Sequence, residues 1–172
     1  EIEFHPNDPD TMYVVRRNGD ITEFFRSYNA GTTFTQQTTG WPAPNLGLEE
    51  HQQRTEIAVT PDAPDKVYAL ATGSANGGSG LYGVYVSADR GATWTFQCCG
   101  PGPGGPPSSS NMNLMGWSDQ GLDDGGQYYY DLAFGVSPYN KDSMWVCGVN
   151  LWVSGNEGAS FVCPSAWSHS YK

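Results

Sequence analysis

The sequence predicts an all-β chain assembled from three four-stranded antiparallel sheets. Three observations carry this reading. A phrase of the form Ser-x-Asn/Asp-x-Gly-x-Thr/Ser-aromatic occurs at 27–34, 87–94 and 154–161. Internal repetition fixes architecture before any single element is assigned. Upstream of each phrase a proline precedes an aromatic residue by seven positions, as Pro6 to Tyr13, Pro61 to Tyr68 and Pro138 to Trp145. No stretch of ten or more residues carries a helical period, and 22 Gly and 12 Pro in 172 residues disfavour helices throughout.

Each unit reads strand, Pro turn, strand, variable loop, strand, Ser/Asp/Gly turn, strand. The strands are short runs of Val, Tyr, Trp and Phe bounded by Gly, Pro, Asn and Asp. In the first unit they fall near 2–4, 11–16, 21–27 and 33–37. In the second they fall near 56–60, 66–72, 81–87 and 93–98, and in the third near 131–137, 143–148, 150–154 and 160–163. The units occupy about 1–45, 54–99 and 131–167, with an insertion loop at 100–130.

The repeated phrase has a physical explanation as a hairpin tip. Asn29, Asp89 and Asn156 can accept hydrogen bonds from backbone N–H groups further along the turn. Gly31, Gly91 and Gly158 supply the positive φ that other residues resist. The hydroxyls of Ser27, Ser87 and Ser154 tie neighbouring backbone, and Phe34, Trp94 and Phe161 open the next strand and pack inward. On this reading the three phrases are structural and lie far from any active centre.

These residues resemble the Asp-box, or BNR, repeat of β-propeller proteins. The second copy, Ser-Ala-Asp-Arg-Gly-Ala-Thr-Trp, matches the family pattern Ser-x-Asp-x-Gly-x-Thr-Trp at every fixed position. The first and third copies carry Asn29 and Asn156 in place of Asp and Phe34 and Phe161 in place of Trp, and the third carries Ser160 in place of Thr. The resemblance implies propeller blades. It leaves function open, since sialidases, xyloglucanases, sortilin-like receptors and non-catalytic surface proteins share the box. The segments 125–133 and 149–154 are also similar to repeats in large exported propeller proteins of Bacteroidetes-type bacteria. That implies a secreted or cell-surface protein of bacterial origin. Propellers have about four to eight blades, so three units imply part of a longer polypeptide whose other blades complete the ring. The alternative is a three-bladed or oligomer-completed object.

A net charge of −10 with only eight Lys and Arg argues against nucleic acid and anionic membranes as partners. No apolar run is long enough for a transmembrane helix. Four cysteines, Cys98, Cys99, Cys147 and Cys163, lack the spacing of a zinc site. Two disulfides suit an exported protein, with one of the vicinal pair linked to Cys163. Cys147 and Cys163, two strands apart, are too distant for a direct bond. The alternative is four free thiols. His5, His51 and His169 read as surface or turn residues.

Chemistry concentrates in the insertion. Its Gly/Pro/Ser-rich opening excludes helix or central strand, and long loops in compact folds are usually functional or disordered. Trp117, Asp119, Asp123, Asp124, Tyr128 and Tyr129 are the candidate ligand contacts. Aromatic faces with carboxylates suit a glycan, and several oxygen ligands also suit Ca²⁺. Otherwise the aromatics pack the loop onto the blades and the Asp residues serve turns. No other metal or cofactor is expected. A propeller glycoside hydrolase needs two carboxylates roughly 5–10 Å apart; Asp131 and Asp119 are the catalytic candidates, with Asp123, Asp124 and Glu56 behind them. A xyloglucanase-like enzyme fits better than a sialidase, because the arginine-containing sialidase motif is absent. The leading expectation is a module that binds protein or glycan.

Overall fold

The computed structural model describes residues 1–168, so His169 lies outside the described residues. The first sheet comprises β1 (Ile2–Phe4), β2 (Met12–Asn18), β3 (Ile21–Ser27) and β4 (Thr35–Gln37). The second comprises β5 (His51–Val59), β6 (Val67–Ala75), β7 (Gly78–Ser87) and β8 (Thr95–Cys98). The third comprises β9 (Ala133–Ser137), β10 (Asn140–Cys147), β11 (Leu151–Ser154) and β12 (Val162–Ser165). In each sheet the strands lie side by side in chain order, all antiparallel. Leu46–Leu48 forms a single 3₁₀ turn. Strands β5, β6 and β7 run further than the sequence suggested, because Gln52, Gly73 and Gly80 continue the ladder into the hairpin at Ala75–Gly78.

The second sheet is covered on both faces, which explains its near-continuous apolar β6. Val67, Ala69 and Ala71 share one cluster with Tyr13, Val15 and Phe24 of the first sheet. Tyr68, Leu70 and Val84 share another with Met144, Val146 and Trp152 of the third. Side chains alternate along a strand, so neighbours in sequence serve opposite interfaces. At the first interface the rings of Phe24, Trp41 and Trp94 lie 4.9–5.2 Å apart in tilted and edge-on pairs. Such geometry adds about 0.5–1.5 kcal/mol per pair beyond burial. The Trp41 indole N–H also donates to the Thr22 carbonyl at 2.8 Å.

The repeat has a direction. The aromatic seven residues after each proline faces the following sheet, and the aromatic that closes each phrase faces the preceding one. Tyr13, Tyr68, Trp94 and Phe161 are thereby buried. The expectation of inward packing fails at Phe34, which is 42 % exposed, and its counterpart at the far end, Trp145, is 40 % exposed. In both cases the described residues contain no sheet on that side. Ile2 and Phe4 on the first sheet, and Val162 on the third, are exposed as well.

All three phrases form the same hairpin tip. Asn29 Oδ1, Asp89 Oδ1 and Asn156 Oδ1 accept the N–H of Thr33, Thr93 and Ser160 at 2.9, 2.8 and 2.9 Å. The serine hydroxyls accept the N–H of Gly31, Gly91 and Gly158 at 3.0, 2.8 and 2.9 Å. The glycines sit at φ of 79°, 78° and 80°. Sequence reading missed that the preceding residues, Ala30, Arg90 and Glu157, are also left-handed, with φ of 50–58°. Their N–H groups donate to the carbonyls of Asp10, Asp65 and Asp142. Each of those aspartates stands four residues after the unit's proline, a regularity visible in the sequence.

The same tips join neighbouring sheets. Arg26 of the first sheet donates to the carbonyls of Asp89 and Arg90. Arg90 pairs with Asp65 of its own sheet and Asp8 of the first. At the next interface Glu157 accepts from Lys66, and from the Tyr68 hydroxyl at 3.0 Å. His5 belongs to this network rather than to the surface. It is buried, its Nδ1 accepts the Asn7 N–H at 3.2 Å, and its Nε2 lies 3.5 Å from Asp65.

The cysteine pairing differs from expectation. Cys98 and Cys99 are bonded to each other, while Cys147 and Cys163 are free and half-buried. Cys163 packs against the same cluster as Cys98 and Cys99, but each of those two is already committed to its chain neighbour. Burial pushes the thiols of Cys147 and Cys163 up from the ordinary cysteine value.

Candidate functional site

Antiparallel order puts the Pro turns and the Ser/Asp/Gly tips at one end of every sheet. The opposite end gathers the β2–β3, β6–β7 and β10–β11 hairpins, the starts of β1, β5 and β9, and the insertion. The phrases are therefore remote from the end where variable loops meet.

Asn113 fixes the insertion at that end. It is buried; its Oδ1 accepts the N–H of Leu81 and Met115, and its Nδ2 donates to the carbonyls of Asp123 and Gly125 at 2.9 Å each. Leu114 and Met115 enter the core between the second and third sheets. This is how a Gly/Pro-rich loop offsets its ordering entropy: one side-chain amide replaces a ladder, and two apolar residues anchor it.

The six expected ligand contacts separate into two groups. Asp123 accepts the backbone N–H of Trp117 at 2.7 Å and of Ser118 at 2.9 Å. Asp124 accepts that of Ser79 at 2.6 Å. Tyr128 is half-buried, with its hydroxyl 3.1 Å from that of Ser79. These three hold the loop together and tie it to β7. Trp117 and Tyr129 are exposed. Asp119 lies close enough to Cys163 to push its thiol further up, after burial. Asp131 is exposed just before β9, its N–H bonded to the Gln127 carbonyl at 2.9 Å. Among the described residues, no group of three or more His, Cys, Asp or Glu is placed to hold a metal ion.

Tyr129 reaches a cleft of 340 Å³ between the first two sheets, whose other walls include Glu1, Arg17, Arg54 and Glu56. Arg54 Nε donates to Glu56 Oε1 at 2.5 Å, and Arg54 Nη1 to the Tyr130 carbonyl at 3.1 Å, so one guanidinium links β5 to the insertion. Burial, followed by a hydrogen bond to Glu56 and repulsion from its charge, raises the Glu1 carboxyl to about 7. Two carboxylates in contact cannot both ionise freely. Glu3 is pushed up too, by burial and then by Glu56. The pair has a sequence signature, of which the expected catalytic candidates included Glu56 but not Glu1. Glu1 and Glu56 each stand five residues before the unit's proline, and Ala133 holds that place in the third unit.

Sheet order, repeat geometry and loop placement together define blades of a β-propeller. No family model and no curated protein matches the chain. Among solved structures it is similar to the GH74 enzyme of Niastella koreensis, with 18 % identity and a TM-score of 0.53, over 95 % of this chain and 22 % of that one. It is equally similar to the GH74 xyloglucanase of Xanthomonas campestris, with 19 % identity and a TM-score of 0.53, over 94 % of this chain and 22 % of that one. YCF48 from Cyanidioschyzon merolae matches at 14 % identity and a TM-score of 0.48, over 94 % and 35 % of the two chains. At such identities the likeness is one of fold. The chain spans about a fifth of the length of the two GH74 enzymes. No helix among the described residues is long and apolar enough to cross a membrane.

Proposed function

We propose that the chain is part of a larger β-propeller that binds a protein or glycan ligand at its loop end. The observation that carries this is Tyr129, which the insertion delivers to a cleft otherwise walled by residues of the first two sheets and by Glu1, among them Arg17, Arg54 and Glu56. A few convergent polar groups beside an aromatic face are the usual make-up of a ligand site. The open faces at Phe34 and Trp145 support further blades of the same polypeptide on either side, since their equivalents are buried wherever a neighbouring sheet is present. Export to the cell surface or medium belongs to the same proposal, resting on the acidic composition and the resemblance of the repeats.

A second reading, a propeller glycoside hydrolase, is favoured by the likeness to GH74 enzymes and by a carboxyl poised near neutrality. Hydrolysis places the two carboxyls about 5–5.5 Å apart for retention and roughly 6.5–9.5 Å for inversion. Glu1 and Glu56 lie too close together to be that pair, so the enzyme reading rests on Asp131 and Asp119. A glycan array combined with a reducing-sugar assay on the intact protein separates the readings. Binding without turnover, weakened by Tyr129→Ala or Arg54→Ala, is the expected result. Robust turnover abolished by Asp131→Asn or Asp119→Asn would establish the enzyme instead.

A further inference from the structure

We propose that Trp117 and Trp167 form a two-indole platform for the apolar faces of neutral sugar rings, an inference that rests on the glycan branch of the function proposed above. Trp167 had no part in the expected site; the fold brings it there. Its indole N–H donates to the Trp117 carbonyl at 2.8 Å. That spends the ring's one polar group on backbone and leaves its apolar faces for contact. Trp167 is 62 % exposed and Trp117 42 %. Among the described residues neither indole stacks on another aromatic ring.

The positioning device is Asn150, which is 2 % exposed. Its Nδ2 donates to the carbonyls of Gly116 and Ser118, on either side of Trp117, at 3.1 and 3.3 Å. Its Oδ1 accepts the Trp167 N–H at 3.1 Å. A buried amide costs desolvation unless its groups are bonded, and here those bonds all hold the two tryptophan-bearing segments in register. Each ring keeps part of its apolar area outside the fold, and that area remains to be buried by a ligand. A buried side chain that fixes two exposed indoles therefore preorganises them for a ligand, which removes part of the ordering cost of binding.

The surroundings select the ligand's chemistry. A recess of 250 Å³ opens beside Trp167, bounded by Gly148–Leu151 and Ser165–Trp167, and gives a ring room to lie against the indole. Asp119 stands two residues from Trp117, and the chain carries a net charge of −10. This negative charge repels anionic ligands and leaves neutral ones unopposed. The occupant is thus a neutral, hydroxylated ring system rather than a uronic or sialic acid.

The test is calorimetry and tryptophan fluorescence on the intact protein. The probes are cellohexaose and a neutral xyloglucan oligosaccharide, with an oligogalacturonate as the charged counterpart. Trp117→Ala and Trp167→Ala should each weaken neutral-sugar binding by about tenfold or more, as loss of a central aromatic contact does. Trp167→Phe should retain most of the affinity, because stacking survives without the indole N–H. The fluorescence response of the wild type should shrink in both alanine variants. Unchanged sugar affinity in both variants overturns the platform. If Tyr129→Ala alone abolishes sugar binding, the cleft reading stands and the platform falls. If the wild type binds no neutral sugar, the platform and the glycan branch both fail. Tighter binding of the oligogalacturonate overturns the selection for neutral ligands.

Discussion

Gly91 of the second phrase sits directly against Phe24 of the preceding blade: a Cβ at Gly91 would lie 2.4 Å from the ring. The hairpin tip is thus an interface element as well as a turn. At Gly31 the atom nearest to such a Cβ is the flexible Met12 sulfur at 3.1 Å, and both glycines share a left-handed φ near 80°.

Gly31→Ala should therefore cost about 1 kcal/mol, the strain of a left-handed alanine. Gly91→Ala should cost about 2–4 kcal/mol, since overpacking adds about 1–3 kcal/mol to the same strain. Urea unfolding monitored by tryptophan fluorescence measures both. Equal losses would show that Phe24 moves aside freely.

Asp89 and its counterparts Asn29 and Asn156 differ by one proton-bearing atom in otherwise equal turns. Asn29 Nδ2 and Asn156 Nδ2 donate to the hydroxyls of Thr33 and Ser160 at 2.9 Å, whereas at Asp89 the direction reverses and the Thr93 hydroxyl donates at 2.7 Å. Burial pushes the Asp89 carboxyl up, but the hydrogen bonds from Thr93 and Ser87 outweigh it and hold the group below the usual aspartate value. A depressed carboxyl contributes stability above its unfolded value and loses it as pH falls through the folded one. Asp89→Asn should be nearly neutral at pH 7, within about 0.5 kcal/mol. Below about pH 4 the variant should become the more stable protein. Paired thermal melts across that range read the crossover.

Glu1 has the opposite sign. Its carboxyl, raised to about 7, binds a proton more tightly in the folded state. That contribution is fully present below the ordinary glutamate value and disappears as pH rises through about 7. Stability should decline between about pH 5 and 8, and Glu1→Gln should flatten that segment of the profile. Glu56→Gln should flatten it too, by removing the charge that opposes Glu1. A difference between wild type and Glu1→Gln that does not change with pH would show that Glu1 is not raised, and the same result for Glu56→Gln would show that the two carboxyls do not interact.

The cysteine pattern predicts two titratable thiols in the unfolded, unreduced chain and four after reduction. The free pair should map to Cys147 and Cys163 by alkylation and peptide mass. In the folded protein both should react slowly, because burial raises their thiols and shields them. A peptide linking Cys163 to Cys98 or Cys99 would contradict the pairing.

Sequence by itself determined the strand order, the three hairpin tips and the loop most open to variation. Those features depend on local chemistry: a left-handed glycine, a short side chain that accepts nearby N–H groups, and alternation along a strand. The roles of the insertion's acidic residues were not legible, because whether a carboxylate meets solvent or a backbone N–H depends on how the loop folds back. Asp123 and Asp124 are turned inward for that reason, toward Trp117, Ser118 and Ser79. Likewise only the tertiary structure decided that Phe34 is exposed while Trp94, its match in the repeat, is buried. Identical local sequence rules produce both; the presence of a packed neighbour separates them. The approach of Glu1 to Glu56, and of Trp167 to Trp117 through Asn150, joins positions 55, 50 and 17–34 residues apart in the chain. Such proximities arise from the stacking of sheets, which no periodicity along a single strand encodes.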